Sequence, residues 1–284
     1  MHKVGIVTDS TCDLPLDELA SLGVSMVPLT VHFGDEHVRD WLDLTPTEFY
    51  PKLASFPGLP TTSQPSPADF TATYEQLAAS GAEEIVSIHL SAALSGTFES
   101  AMLAAKTSPV PIRIVDGKRA SMATGMMVRA AVEARETGGD ADAIESRAIE
   151  VAANTRLFFL CDTLDNLVKG GRAGKAAGLA ASLLNIKPVL RVNDDGIIEP
   201  FKKVRGRQQA IAALAAHVAK DSQDNGRMRL SALHACQPAS AEELEAAIRA
   251  AGADVEWAAR GEIGAVVGVY TGPGAMGCAY YPID

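Results

Sequence analysis

The sequence predicts an α/β fold in two domains: a parallel-sheet α/β/α domain over residues 1–155 and a mixed-sheet α+β domain over residues 156–284. Three observations carry this. The chain has 284 residues, more naturally two hydrophobic cores than one. In the first half, short apolar runs alternate with helical patterns, as expected of parallel strands covered on both faces. In the second half, Asn193-Asp194-Asp195-Gly196 interrupts an apolar stretch with a hairpin turn signal.

Taken in order, "VGIVTD" (4–9) reads as a strand ending in a polar turn, and "VSMVPLTVHF" (24–33) as a second strand. Thr45-Pro46-Thr47-Glu48 opens a helix as a capping box with proline at its first position, and Ser66-Pro67-Ala68-Asp69 opens another with Asp in place of Glu. "EEIVSIHL" (83–90) and "PIRIVD" (111–116) are strands, followed by Ala-rich helices near 120–137 and 140–154. Beyond the boundary, "RLFFLCDT" (156–163) is a strand, and a helical stretch follows that is broken at Gly170-Gly171. The hairpin comes next, then a helix (207–220), a strand (228–236), a helix (240–251) and two closing strands.

Composition excludes several functions. The formal net charge is −10 and no long run of Lys and Arg is present, so nucleic acid and anionic lipid surfaces are not expected partners. No apolar stretch approaches the ~18 residues that span a membrane. Met1-His2-Lys3 runs straight into a strand-like stretch, so no secretory leader is expected. Its four cysteines form no CxxC pair, which suits reduced thiols and a cytoplasmic location. The six histidines show no metal-ligand spacing, so no metal and no cofactor are expected.

Four polar turns follow strands or introduce helices: Thr8–Thr11, Thr61–Gln64, Ser95-Gly96-Thr97 and Asp116-Gly117-Lys118. In an open parallel sheet, ligands bind at the carboxyl ends of strands, where helix N-termini and hydroxyls gather donors for a carboxylate or phosphate. Taken singly, each hydroxyl reads equally as a helix cap. Arg172, after two glycines, reads as a C-cap neighbour or a residue held toward a cleft. Lys202, Lys203, Arg205 and Arg207 form a basic patch, and "TGPGAMG" (271–277) reads as a loop allowing close backbone approach. No GxSxG, HExxH, GxxxxGK[ST] or helix-opening GxGxxG occurs. His89 and Ser91 share a strand face, but no acid stands near them to orient the histidine, so no catalytic residue is expected. The residues alone leave two readings open, a binder of an anionic small molecule and an enzyme acting on a phosphorylated metabolite.

The order of "VTDSTCDLP", "TTSQPSPADF", "LSGTFESAMLA", "VDGKRASMATG", "LDNLVKGGRAG", "NIKPVLRVNDDGIIEPFKKVRGRQQAI" and "TGPGAMG" closely resembles the DegV family of bacterial fatty acid-binding proteins across nearly the whole chain. The resemblance implies a cytoplasmic carrier without catalysis of its own. A long-chain fatty acid would lie with its acyl chain in a tunnel and its carboxyl group near the domain interface. It would be presented to a fatty acid kinase subunit that phosphorylates the carboxyl group. The resemblance assigns the carboxylate to Thr62 and Ser95, with Gly96 and Ser63 beside them. It places Arg172 and Arg205 at the cleft mouth or facing a partner and counts Tyr270 and Thr271 among the ligand residues, while the positive patch of Lys203, Arg205 and Arg207 on an acidic chain is expected to face the partner. The small residues of 173–186 would suit a helix beside a narrow tunnel. Two departures stand out. Tyr270 occupies a position where the family commonly has His, and tyrosine does not titrate near neutral pH. Ser91-Ala92-Ala93 replaces a more hydroxyl-rich stretch.

Overall fold

The structure, a computed structural model, describes residues 3–182 and 187–283. The chain forms two compact units, Met1–Thr45 with Pro60–Ala153, and Pro46–Leu59 with Asn154–Asp284. The single cut expected at residue 155 therefore leaves out an excursion.

In the first unit the strands are β1 (Val4–Asp9), β2 (Val24–Val27), β3 (Thr30–Phe33), β4 (Glu36–Arg39), β5 (Thr61–Ser63), β6 (Glu84–His89) and β7 (Ile112–Asp116). Its helices are α1 (Leu16–Ser21), α3 (Pro67–Ala79), α4 (Thr97–Ala105), α5 (Met122–Glu136) and α6 (Ala141–Asn154), with α2 (Pro46–Ser55) given to the second unit. The main sheet has the order β2-β1-β6-β7 and is parallel throughout. One face buries Val7, Val27 and Ile85 against Phe70 and Tyr74 of α3 and Ala101 and Ala104 of α4. Full burial of a ring such as Phe70 contributes about 1.5–3 kcal/mol. α3 begins as read from the sequence: Asp69 N–H donates to Ser66 Oγ, Ser66 N–H donates to Asp69 Oδ2, and Pro67 sits in the first turn.

The single strand expected over 24–33 is two. Pro28 offers no N–H to a ladder, and the chain leaves the parallel sheet there. β3 then pairs with β4 and β5 in a separate antiparallel sheet of order β4-β3-β5. β3 and β4 are joined by Gly34-Asp35, with Gly34 at φ 65°, a conformation open to glycine at a two-residue hairpin turn.

The second unit adds β8 (Arg156–Leu160), α7 (Asp165–Lys169), a 3-10 stretch (Gly174–Ser182), β9 (Lys187–Val192), β10 (Ile198–Val204), α8 (Arg207–Asn225), β11 (Met228–His234), α9 (Pro238–Ala250), β12 (Val255–Trp257), β13 (Gly261–Glu262), α10 (Ala265–Thr271) and β14 (Met276–Pro282). Its mixed sheet has the order β10-β9-β8-β14-β11-β12, with β13 beside β11. Leu214, Val218, Leu244 and Ile248 of α8 and α9 pack on Phe158, Leu230, Met276 and Tyr280 of the sheet. The expected hairpin is β9–β10, its turn closed by Asn193 Oδ1 accepting from Asp195 and Ile197 N–H at 3.0 Å each.

α2 joins this unit because its aromatic face is used here. Tyr50 OH donates to Ile263 O at 2.9 Å, and Gly268 of α10 is bare where a Cβ would meet the Phe49 and Tyr50 rings. α10 precedes the last closing strand: "AVVGVY" is β-branched and apolar, yet it is helical here, packed on α2 and α7. The stretch 173–186 is not a plain helix either. Gly174–Ser182 is 3-10, and residues 183–186 lie outside the described residues.

Candidate functional site

In the parallel sheet, chain progression reverses between β1 and β6, since β2 lies on one side of that pair and β7 on the other. The carboxyl ends of β1 and β6 flank the crevice where such sheets bind ligands. The turns read from the sequence meet at this end, and they divide into two kinds.

The first kind is closed. Asp9, at the end of β1, is fully buried. Its Oδ1 accepts from Thr11 N–H at 3.0 Å and Thr11 Oγ1 at 2.5 Å. Its Oδ2 takes His89 Nδ1 at 3.0 Å and Leu90 N–H at 3.1 Å. The expectation that no acid orients His89 is therefore corrected: the acid comes from β1, 80 residues earlier. Beyond the ring, His89 Nε2 meets Ser87 Oγ at 2.7 Å, and Tyr74 OH donates to Ser87 Oγ at 2.9 Å. Ser87, His89 and Asp9 thus stand in the order of an acyl-transfer triad. Yet Ser87, His89, Asp9 and Tyr74 are all at 0% exposure, so substrate has no access to the hydroxyl. The network is a brace. The turn after β7 is closed as well. Asp116 Oδ1 accepts from Ala92 N–H at 3.2 Å and Lys118 N–H at 2.9 Å, and Gly117 N–H donates to His89 O at 2.9 Å.

The second kind is open. α4 begins at Gly96 with no side chain capping it. Ser95 does not cap the helix; its Oγ lies 2.9 Å from Thr97 Oγ1, and Ser95 is half-buried. The leading N–H groups of a helix lack intrahelical acceptors. Gly96 is glycine for a local reason: an added Cβ would sit 2.6 Å from Gln64 Nε2 and 2.8 Å from its Cδ. Gln64 Nε2 in turn donates to Ser100 Oγ of α4 at 3.2 Å. The "TTSQ" segment is therefore docked on the α4 turn through Gln64. Thr62 lies on β5 opposite Val31, two residues from Gln64. Ser63 goes elsewhere: its exposed Oγ lies 2.8 Å from His32 Nε2.

In the second unit, Gly171 (φ 72°) closes α7 in a Schellman motif, with Arg172 N–H donating to Leu167 O at 2.9 Å and Gly171 N–H to Val168 O at 3.1 Å. The capping reading of "KGGR" holds, and the Arg172 guanidinium also donates to Gly170 O at 2.7 Å. The Arg172 guanidinium lies 5.0 Å from the Tyr270 ring centroid, and the ring fills the space where Gly170 has no Cβ. Thr271 is buried at the end of α10, its Oγ1 donating to Val267 O at 3.1 Å. The close approach expected of "TGPG" falls at Gly274 (φ 78°), against Asp162. The basic patch divides: Lys203 and Arg205 are exposed, whereas Arg207 starts α8, its guanidinium 3.5 Å from Gly274 O and from Glu243.

This fold is matched closely by known proteins. A family model described as an uncharacterised protein of the DegV family matches residues 3–283. The chain belongs to the DegV family. A DegV domain-containing protein of Streptomyces coelicolor is 40% identical, over 97% of both chains. A structure of fatty acid binding by a DegV family protein of Thermus thermophilus superposes with a TM-score of 0.92 at 37% identity, covering 100% of each chain. DegV of Bacillus subtilis, described as a fatty acid binding protein, matches with a TM-score of 0.88 at 31% identity over 99% of each. Both domain types expected from the sequence, parallel and mixed, are present in this DegV chain. Among the described residues no helix is long and apolar enough to cross a membrane, and no group of three or more His, Cys, Asp or Glu converges as a metal cage.

Sequence reasoning placed Gln64 and Asp9 in polar turns and His89 at a strand end, but missed the docking of Gln64 on α4 and the Asp9–His89 bond. The signal for Gln64 was its place two residues after Thr62. For the pair no local signal exists.

Proposed function

We propose that this protein is a non-catalytic carrier that binds a long-chain fatty acid through its carboxyl group at the α4 turn. Thr62, Ser95 and the N–H groups following Gly96 hold the carboxylate, and the acyl chain runs in an apolar tunnel. The observation that supports this best is the uncapped α4 N-terminus, with the Ser95 hydroxyl half-exposed and Gln64 docking the Thr62 segment beside it. The fatty acid binding described for the relatives from Thermus thermophilus and Bacillus subtilis supports the choice of a lipid over a phosphorylated metabolite. Burying ~14 methylenes at ~0.8 kcal/mol each yields roughly 11 kcal/mol before association costs, enough for sub-micromolar binding.

The purified protein, denatured and extracted into organic solvent, is expected to release a long-chain fatty acid detectable by mass spectrometry. Protein that is lipid-free and takes up no labelled fatty acid overturns the reading. In a second step the carrier presents its ligand to a kinase subunit that forms an acyl phosphate. Lys203 and Arg205, exposed and positive on a protein of net charge −10, form the docking patch. Arg205→Ala is expected to leave lipid affinity within about threefold, under ~1 kcal/mol, while slowing acyl phosphate formation most at low salt. Loss of lipid affinity with kinase turnover intact would move Arg205 to the ligand.

A further inference from the structure

The β3–β4 hairpin places two imidazoles against each other. His32 and His37 are directly opposed in the antiparallel register, on either side of the Gly34-Asp35 turn. Their Nδ1 atoms approach to 2.6 Å, and the rings meet nearly edge to face, with centroids 4.6 Å apart and planes at 80°. His37 is exposed and His32 half-buried, so the pair is open to water.

The outer nitrogen of His32 is also spoken for. Its Nε2 lies 2.8 Å from Ser63 Oγ of β5. With Nε2–H donating to that hydroxyl, the Nδ1 of His32 carries its lone pair inward, and His37 Nδ1 supplies the one proton between the two rings. Histidines that ligate metals have this arrangement: a hydrogen bond on the outer nitrogen fixes the tautomer and aims the inner lone pair. Replacing the shared proton by a cation turns the pair into a chelate. Two nitrogens on a tetrahedral zinc ion stand about 3.3 Å apart, given Zn–N distances of about 2.0–2.1 Å. The rings must separate by less than an ångström, within reach of small side-chain rotations on an exposed hairpin.

We propose that His32 and His37 form a two-histidine site for a borderline divalent transition metal, zinc or copper(II), completed by water. Two neutral imidazoles select such ions over magnesium and calcium, which prefer oxygen ligands. The site lies outside the α4 turn and does not depend on a lipid.

The test is titration of zinc chloride alone into the protein by calorimetry, in a Cys236→Ser background because Cys236 is an exposed free thiol. One equivalent is expected to bind. His32→Gln and His37→Gln should each weaken it by about tenfold or more, and Ser63→Ala by a smaller factor, as a tautomer-fixing partner does. Copper(II) added to the same proteins gives a second readout: its paramagnetic resonance spectrum should show two nitrogen couplings in the parent and one in each histidine variant. If a variant fails to fold, the parent alone decides, since zinc should slow diethylpyrocarbonate modification at His32 and His37 and at no other histidine. Equal zinc affinity in parent and variants, unchanged nitrogen couplings, or unprotected His32 and His37 overturn the proposal.

Discussion

The turns after β1 and β6 lie side by side at one end of one sheet, are built from the same residue types, and have opposite fates. Asp9 spends both carboxylate oxygens on four donors within the protein and is sealed from water. Ser95, six residues beyond His89, leaves α4 uncapped and stays half-exposed. Buried polar groups must be paired, and an incompletely paired one at a surface is available to a ligand. Hydrogen-bond satisfaction, more than residue type, separates the brace from the proposed site.

The strongest way to break this contrast is Asp9→Ala. Removing one partner of a buried pair costs about 3–5 kcal/mol, and His89, Leu90 N–H and Thr11 are all left without their acceptor. Urea denaturation should show this loss in stability. A small loss in stability with a selective loss of lipid binding would make the brace the site.

Alkaline titration sharpens the contrast next. Burial, partly offset by the hydrogen bond to Ser87, pushes the Tyr74 phenol up to about 12 from 10.0. Because the unfolded chain loses this proton first, Tyr74 contributes full stability below pH 10 and loses it as pH rises toward 12. The expected slope is about 1.4 kcal/mol per pH unit. Burial also raises the buried groups Tyr280, Cys12 and Cys278, so the difference between wild type and Tyr74→Phe isolates this tyrosine. The variant should show the shallower limb.

At the open turn the effect should fall on binding. Thr62→Ala with Ser95→Ala is expected to weaken a fluorescent fatty acid by at least tenfold, or ~1.4 kcal/mol, while unfolding free energy changes by no more than about 1 kcal/mol. Unfolding without selective loss of binding would return Ser95 to a structural role. The smallest effect belongs to Gly96→Ala. Its Cβ displaces the Gln64 amide from Ser100, and because that side chain can swing away, lipid affinity should fall only about two- to threefold, under ~1 kcal/mol.

Local chemistry was legible in the sequence, and distant pairing was not. The Ser66–Asp69 capping box and the Asn193–Gly196 turn each complete their hydrogen bonds within a few residues, and both formed as read. "HFGDEH" carried a hairpin signal too, but it was lost inside an apolar run that reads as one strand through Pro28. α10 has strand composition and is helical, packed on α2 and α7. The Asp9–His89 bond joins residues that no window of sequence contains together. The carboxylate candidates lay in turns read from the residues and were singled out by resemblance; the docking of Gln64 on α4 emerges only from the side-chain packing at Gly96.

The excursion of Pro46–Leu59 into the second unit has a consequence for how the chain is made. α2 leaves the ribosome early, yet the carbonyl that receives Tyr50 belongs to Ile263, 213 residues later. Until α10 has emerged, the Phe49 and Tyr50 rings of this helix lack the Gly268 surface they pack on. The first unit can close around the gap once residue 153 has emerged, but the second must wait until α10 has followed. A nascent chain stalled before α10 should therefore be cut by protease within 46–59, and become resistant there once α10 is released.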